Sequence, residues 1–564
     1  MSSGFEFGGA LPTSMVGGRR LLAWFAGLLA VAVFVLVAMG IVGGSAPEPA
    51  GEIAPKVAFT GVRIVDVARG ELIEAQTIIA SNGEIESIGS TETTAVPDGY
   101  REVALPGRFV VPGFWNMHAH LGRHQLHYAA PMMLMYGIFY ARNMSGDCVG
   151  WLCFFERDVD GNRALTEAAI RGDVMSPAFL GGVGSHVVRG VQAARSRDYP
   201  SEPSFLTPQT YDEGRALVQY AVARGADFLK PYNSLEPDAF RGMLDEARVA
   251  GVYVGGHVPR SFTLTEALQL GLHTVEHARM LPLACSTKGP DFAVAYRAWL
   301  DAAPSEVTKP NMSRTLDEAM GNPDESACDR VLADWARSGA HYVPTHVTRL
   351  ADAHAATRPF LEDPRVRYVP NIVVWLGWEA HAADYEEQFR VRPETEGQLV
   401  ALYERGVELT GRAHRAGVKL MVGSDTGDVL IYPGPSFHEE MRIFSDAGMS
   451  PAAILAAATS VPAEFAGLSD THGSIAVGKR ADFVFLDQNP LDDIAHSETI
   501  DALYVGGRFY DSEIRRAVMD EVARKSRGLR HHLTLGWFVV TRVIPGLVVR
   551  GATRVRSFFT SSSE

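Results

Sequence analysis

Between residues 55 and 112 apolar and polar positions alternate with a period of two: KVAFTGVRIVDV, LIEAQTIIAS and GEIESIGS, with Asn82-Gly83 between the last two. This alternation predicts half-buried strands, and the Asn-Gly pair predicts a tight hairpin turn. The pattern returns far downstream at GSIAVGKRADFVFLD (473–487) and ALYVGGRFYD (502–511). The two ends of the catalytic chain are therefore expected to build one small β-sandwich. Between them the rhythm changes. Eight short apolar runs, VVPGFWNM, GIFYARNM, SPAFLGGVG, ADFLKPY, VYVGGHV, HTVEHA, HYVPTHV and KLMVGSD, are separated by helix-like segments such as YDEGRALVQYAVARG. Alternating strands and helices imply a parallel sheet, and eight units close a (β/α)₈ TIM barrel. The expected fold is α/β, a barrel inserted into a composite β-sandwich, with long insertions after the sixth strand (279–339) and the seventh (350–395).

The ends of the chain add a membrane. Residues 21–44 form an uncharged apolar run behind Arg19 and Arg20, long enough to span a bilayer core of roughly 30 Å. It exceeds the apolar core of a cleaved signal peptide, roughly 7–15 residues, and reads as an uncleaved transmembrane signal anchor. The expected order is a cytoplasmic N-terminus (1–20), the anchor (21–44), a linker (45–54), the N-terminal half of the sandwich (55–112), the barrel (113–468) and the C-terminal half of the sandwich (469–512). A tail (513–564) follows, and the catalytic body is exported to the periplasmic or extracellular side.

Charge sets the tail apart, since it carries ten Lys/Arg against four Asp/Glu in a chain whose net charge is −14. Its segment 531–551 is apolar, broken by Arg542 and Pro545 and flanked by basic residues, which suits an amphipathic segment on an anionic membrane surface or a helix on the body. The acidic body, with no aromatic platform among its basic residues, excludes a nucleic-acid partner. Four cysteines, Cys148, Cys153, Cys285 and Cys328, allow two local disulfides in an oxidising compartment or four buried thiols.

Candidate chemistry lies at the strand ends, where barrels carry their active sites. His118 and His120 lie two apart on a strand, so both point the same way, about 7 Å apart along it. The fourth strand ends at Lys230, the fifth at His257, the sixth at His277 and the eighth at Asp425. Each alone has a structural explanation; six metal-binding or catalytic types on one rim do not. Arg142, His186, Tyr232, Arg260, His346 and His438 are candidate substrate contacts, with Arg142 and Arg260 suited to clamping a carboxylate.

PGFWNMHAH, GADFLKPY, GGHVP, HTVEHA and GSDTG, in this order, resemble the amidohydrolase superfamily of metal-dependent hydrolases and its imidazolonepropionase-like and prolidase-like branch. The likeness spans about 55–512, although Asn116 stands where relatives often carry aspartate. It implies that His118, His120 and Asp425 hold one divalent metal, that His257 and His277 hold another, and that Lys230 bridges them as N6-carboxylysine. Zinc suits these ligands, as do manganese, iron or cobalt. The resemblance implies a hydroxide bridging the metals as nucleophile, with Asp425 as general base. The expected substrate is a small molecule or short peptide, a dipeptide or N-acyl amino acid cleaved at its C–N bond. Lys230 argues against imidazolonepropionase activity itself. A cyclic amide or lactone hydrolase and a silent barrel scaffold at the membrane are the alternatives, and there is room for a homo-oligomer.

Overall fold

The computed structural model describes residues 46–144, 146–147, 157–188, 205–302 and 310–527, without the side chains of 185–188, 205–206, 372 and 376. The expected anchor at 21–44, the segment 531–551, Cys148, Cys153 and the His186 side chain lie outside the described residues. Among the described residues no helix is long and apolar enough to cross a membrane.

The β-domain begins with β1 (Glu52–Ile53), β2 (Lys56–Asp66), β3 (Glu71–Ser81), β4 (Glu84–Ser90), β5 (Arg101–Ala104) and β6 (Phe109–Pro112). The barrel follows with β7 (Phe114–Ala119), β8 (Ile138–Asn143), β9 (Ala178–Val188), β10 (Phe205–Leu206), β11 (Phe228–Pro231), β12 (Tyr253–Gly256), β13 (Thr274–Glu276) and β14 (His341–Val343). The chain then returns to the β-domain through β15 (Phe483–Leu486), β16 (Ile500–Val505) and β17 (Arg508–Tyr510). Both ends of the catalytic chain thus share one sheet, ordered β1-β17-β16-β15-β6-β2-β3-β4 with β5 on β2. The sheet curls on itself: Phe59 of β2 lies 4.8 Å from Phe485, 5.1 Å from Tyr504 and 6.0 Å from Phe509, measured between ring centres. Each such buried ring contributes about 1.5–3 kcal/mol.

The barrel strands run parallel in the order β14-β13-β12-β11-β9-β8-β7, with β10 added to β9. The eighth run does not form a regular strand, yet it closes the ring. Tyr342 N donates to Lys419 O and Met421 N to Tyr342 O on one side, while Met117 N donates to Val422 O and Asp425 N to His118 O on the other, all at 2.9 Å. Gly423 permits this closure, because a Cβ there would sit 2.5 Å from Val343 and 2.8 Å from the His118 Cβ.

Helices between strands follow the sequence signals. Pro237–Ala250 starts with Pro237, ends on Gly251 at φ 71° and buries Phe240, Met243, Leu244 and Ala247, the i, i+3, i+4 stripe of an amphipathic helix. The insertion after β13 is tied by a disulfide between Cys285 and Cys328. At the start of the segment expected as a tail, Ser512–Ser526 is a helix on the body, with Val518 and Val522 buried. Its Arg515 donates to Met135 O and Ile500 O, so this charge serves packing.

Candidate metal centre

The six strand-end residues converge. Asp425 Oδ1 lies 3.4 Å from His118 Nε2 and 3.3 Å from His120 Nε2, while Oδ2 lies 3.7 Å from His277 Nδ1. Lys230 Nζ sits 3.4 Å from His118 Nε2 and 3.2 Å from His120 Nε2. The His257 and His277 rings are 4.6 Å apart, and the His118 and His277 rings 4.8 Å. Ligand atoms sharing one tetrahedral zinc at about 2.0–2.2 Å lie roughly 3.3–3.6 Å from each other. The spacing around Asp425 Oδ1 matches that value, and His118, His277 and Asp425 together offer donor atoms within 4.8 Å of one another.

Electrostatics prepares these groups as ligands. Burial, reinforced by the Lys230 charge, lowers His120 to about 4. Burial and neighbouring charges hold His257 and His277 well below the ordinary histidine value, so these imidazoles are neutral and able to donate lone pairs at pH 7. Burial opposes ionisation of Asp425, but His118, His120 and His277 outweigh it and hold the carboxyl well below its usual range. Burial lowers Lys230 to about 8 against the opposing pull of Asp425 and Glu276. On the order of a tenth of the lysine is therefore neutral amine at pH 7, far more than for a free lysine.

The surrounding shell is less visible in the sequence. Glu276 is fully buried and accepts from His118 Nδ1 at 2.7 Å through Oε2 and from Arg142 Nη2 at 2.6 Å through Oε1. Burial alone would raise Glu276, but the Arg142 charge and the His118 contact hold it at about 2. The Nδ1 bond turns His118 Nε2 towards the site. His257 Nδ1 donates to Asn233 Oδ1 at 2.8 Å, with the same effect. Asn116 donates to Ser424 Oγ at 2.8 Å and accepts from Ser424 N at 3.1 Å and His118 N at 3.2 Å. An aspartate could not donate to Ser424 Oγ and would instead have to accept the hydroxyl proton.

His277, Thr345 and Asp425 hold left-handed backbone at φ 65°, 47° and 56°. Such conformations cost of order 1–3 kcal/mol each and persist where the surroundings impose them. For Thr345 the cause is visible. Glu440, fully buried, accepts from His346 N and Val347 N at 2.9 Å each and pins the helix His346–His354 directly after Thr345. Thr345 Oγ1 in turn lies 2.7 Å from His277 Nδ1. Glu440→Gln leaves one of those amides without an acceptor and is expected to lower stability by about 1–3 kcal/mol. Metal retention should fall with it, which thermal unfolding with and without chelator would show.

The remaining candidates separate. Tyr232 stacks on His257 at 4.2 Å, and Arg260 follows β12 on the same side, its Nε buried without a hydrogen-bond partner. Arg142 is not at the mouth: it is fully buried, and its guanidinium is occupied by Met117 O, Thr274 Oγ1 and Glu276. His346 is also buried, bonded to Thr410 Oγ1 at 2.9 Å. His438 bonds Ser497 Oγ and Tyr136 O at 2.9 Å each, away from the cluster. Arg142 and His438 thus have their side-chain nitrogens bonded within the protein, while His346 keeps a buried Nδ1 without a partner. Arg279, two residues after His277, is a charge that strand-end reasoning misses. Arg349 is the charge it feels most, and with burial this brings its guanidinium down to about 10.

The model of the amidohydrolase family matches residues 109–510. The chain belongs to this family. Membership makes it a hydrolase acting on carbon–nitrogen bonds, and the buried His/Asp cluster of this amidohydrolase is compatible with the metals the family uses. No curated protein matches in sequence. Among solved structures, bottromycin amidohydrolase is 22% identical with a TM-score of 0.61, covering 87% of this chain and 93% of its own. A Xaa-Pro dipeptidase with methionine in its active site is 16% identical, TM-score 0.55, covering 81% and 100%. The ochratoxinase of A. niger is 15% identical, TM-score 0.54, covering 82% and 97%. At these identities the likeness establishes the shared fold.

Proposed function

We propose that this amidohydrolase is a binuclear metal-dependent enzyme that cleaves the amide bond of dipeptides or N-acyl amino acids. His118, His120 and Asp425 would hold one ion and His257 and His277 the other, with carboxylated Lys230 between them. The observation that carries the reading is Lys230 itself. A lysine buried to 2% exposure, with its Nζ against two imidazoles and no carboxylate in salt-bridge contact among the described residues, is unfavourable as an ammonium ion. Its neutral amine can add carbon dioxide with loss of a proton, and the resulting carbamate is an anionic oxygen donor suited to bridging two cations.

When bound, the metals supply Lewis acidity towards the scissile carbonyl and towards water. Asp425 accepts the proton of the attacking water and passes it to the leaving nitrogen. Glu276 and Asn233 keep His118 and His257 in the tautomer that presents Nε2. Arg260, beside Tyr232, receives the substrate carboxylate. Arg260→Ala is expected to raise KM for carboxylate-bearing substrates by about tenfold or more with a smaller change in kcat, consistent with loss of a charge-assisted hydrogen bond. Steady-state kinetics on a dipeptide and its C-terminal amide would check this.

The test of the function is a panel of dipeptides, N-acyl amino acids, lactams and lactones, assayed with metal-reconstituted protein in bicarbonate. Turnover confined to the cyclic compounds would replace this reading by the cyclic one. The membrane tether at 21–44 and export of the body rest on the apolar run and its arginine flank, and the Cys285–Cys328 pair fits an oxidising compartment. Release of the protein into the soluble fraction by alkaline carbonate would overturn the tether.

A further inference from the structure

Two arginines follow the His257 and His277 strand ends, and among the described residues neither has an acidic partner. Arg260 and Arg279 each bury Nε with no hydrogen-bond partner, and among the described residues no carboxylate lies within ion-pair distance of either. They are separate positions. Arg260 follows β12, and its N donates to Asn233 O at 2.8 Å. Arg279 follows β13, and its charge acts on both His257 and His277. Arg349, on the helix His346–His354, is the charge that acts most on Arg279. The acid of that group, Asp352, is already held by Arg349 Nη1 at 2.7 Å and by His381 Nε2 at 3.1 Å. Arg279 is thus a half-buried, permanently charged fork with a buried, unpartnered Nε, and the Arg349 charge acts against it, an arrangement that an anion would complete. One substrate carboxylate at Arg260 leaves Arg279 unanswered.

We propose that Arg279, backed by Arg349, forms a second anion subsite and selects leaving groups with an acidic side chain, so that the preferred substrates release aspartate or glutamate. The inference rests on the amide-hydrolase reading for the orientation of the substrate. Arg260 takes the α-carboxylate and Arg279 the side-chain carboxylate of one amino acid.

The test uses the products, which need no turnover. Free L-glutamate, L-aspartate, L-glutamine and L-alanine are titrated calorimetrically into the metal-loaded full chain. Glutamate or aspartate is expected to bind at least about tenfold more tightly than glutamine, the scale of one charge-assisted bidentate contact. Arg279→Gln should erase that ratio, and Arg279→Glu should reverse it in favour of L-lysine. Equal binding of glutamate and glutamine by the unaltered enzyme overturns the proposal, as does a ratio that survives in a folded Arg279→Gln protein. If neither variant folds, the ratio in the unaltered enzyme decides. Acid-selective binding with no dipeptide cleaved would sink the hydrolase substrate assignment and leave this subsite standing. Cleavage of Xaa-Gln as readily as Xaa-Glu would do the opposite.

Discussion

Lys230→Ala is expected to lower bound metal from about two ions per chain to about one or fewer, and to reduce kcat/KM by about a thousandfold or more. Four donor atoms, from His118, His120, Asp425 and Lys230, lie 3.2–3.4 Å from their neighbours in the centre. Lys230 alone of these is a cation in its ordinary state, and burial has lowered it to about 8. If it serves as a carbamate, its removal deletes the donor shared between the two metals and the fixed spacing that two-metal chemistry requires. If it remains an ammonium ion, its removal deletes a repulsive charge, and metal affinity rises instead. Elemental analysis of protein purified without chelator, with and without bicarbonate, separates the two. Unchanged stoichiometry and activity in Lys230→Ala would remove the bridging role.

The residues that touch the proposed metals are legible because they sit where β/α alternation ends, and each ending is marked by a chemically distinctive side chain. Periodicity places a residue along a strand, but it does not say whether a strand-end side chain turns to the mouth or to the packed interior. Arg142 illustrates the limit. It is next to last in β8, yet it points inward to Glu276. Glu276 itself is hidden beside the more conspicuous His277, although a glutamate ending a short buried strand (Thr274–Glu276) is a signal, since it needs a cation or a donor when buried. His346 and His438 mislead for another reason. Both begin or lie in helices, where Thr410 takes His346 Nε2 and Ser497 takes His438 Nδ1, and pairings more than fifty residues apart leave no local trace. The helix Ser512–Ser526 reads as basic tail because its charge outweighs the spacing of Val518 and Val522, which decides its packing. The closing stave at 419–426 shows the converse. Its sequence predicts a strand, and the chain makes the expected contacts on both sides while its backbone turns left-handed at Asp425.

Glu276 carries the largest expected effect on stability. Arg142 is fully buried, and its permanent charge is met there by Glu276 alone among the described carboxylates. Glu276→Gln removes that countercharge and leaves a guanidinium in the barrel interior, which costs about 3–5 kcal/mol. It also exchanges a carboxylate for an amide opposite His118 Nδ1, where the ring orientation is set, and loss of such outer support weakens metal binding by about 10- to 100-fold. The two effects can be separated. Replacing both members of the pair with apolar side chains of similar volume, Glu276→Leu with Arg142→Met, removes the unpaired charge and should recover most of the stability. It cannot recover the hydrogen bond that orients His118. The double variant is therefore expected to melt near the unaltered protein in chelator, while its metal affinity stays as low as that of Glu276→Gln. A double variant that regains both would show Glu276 to be a structural counterion only, and one that regains neither would show that the pair is required for the barrel to close around the centre.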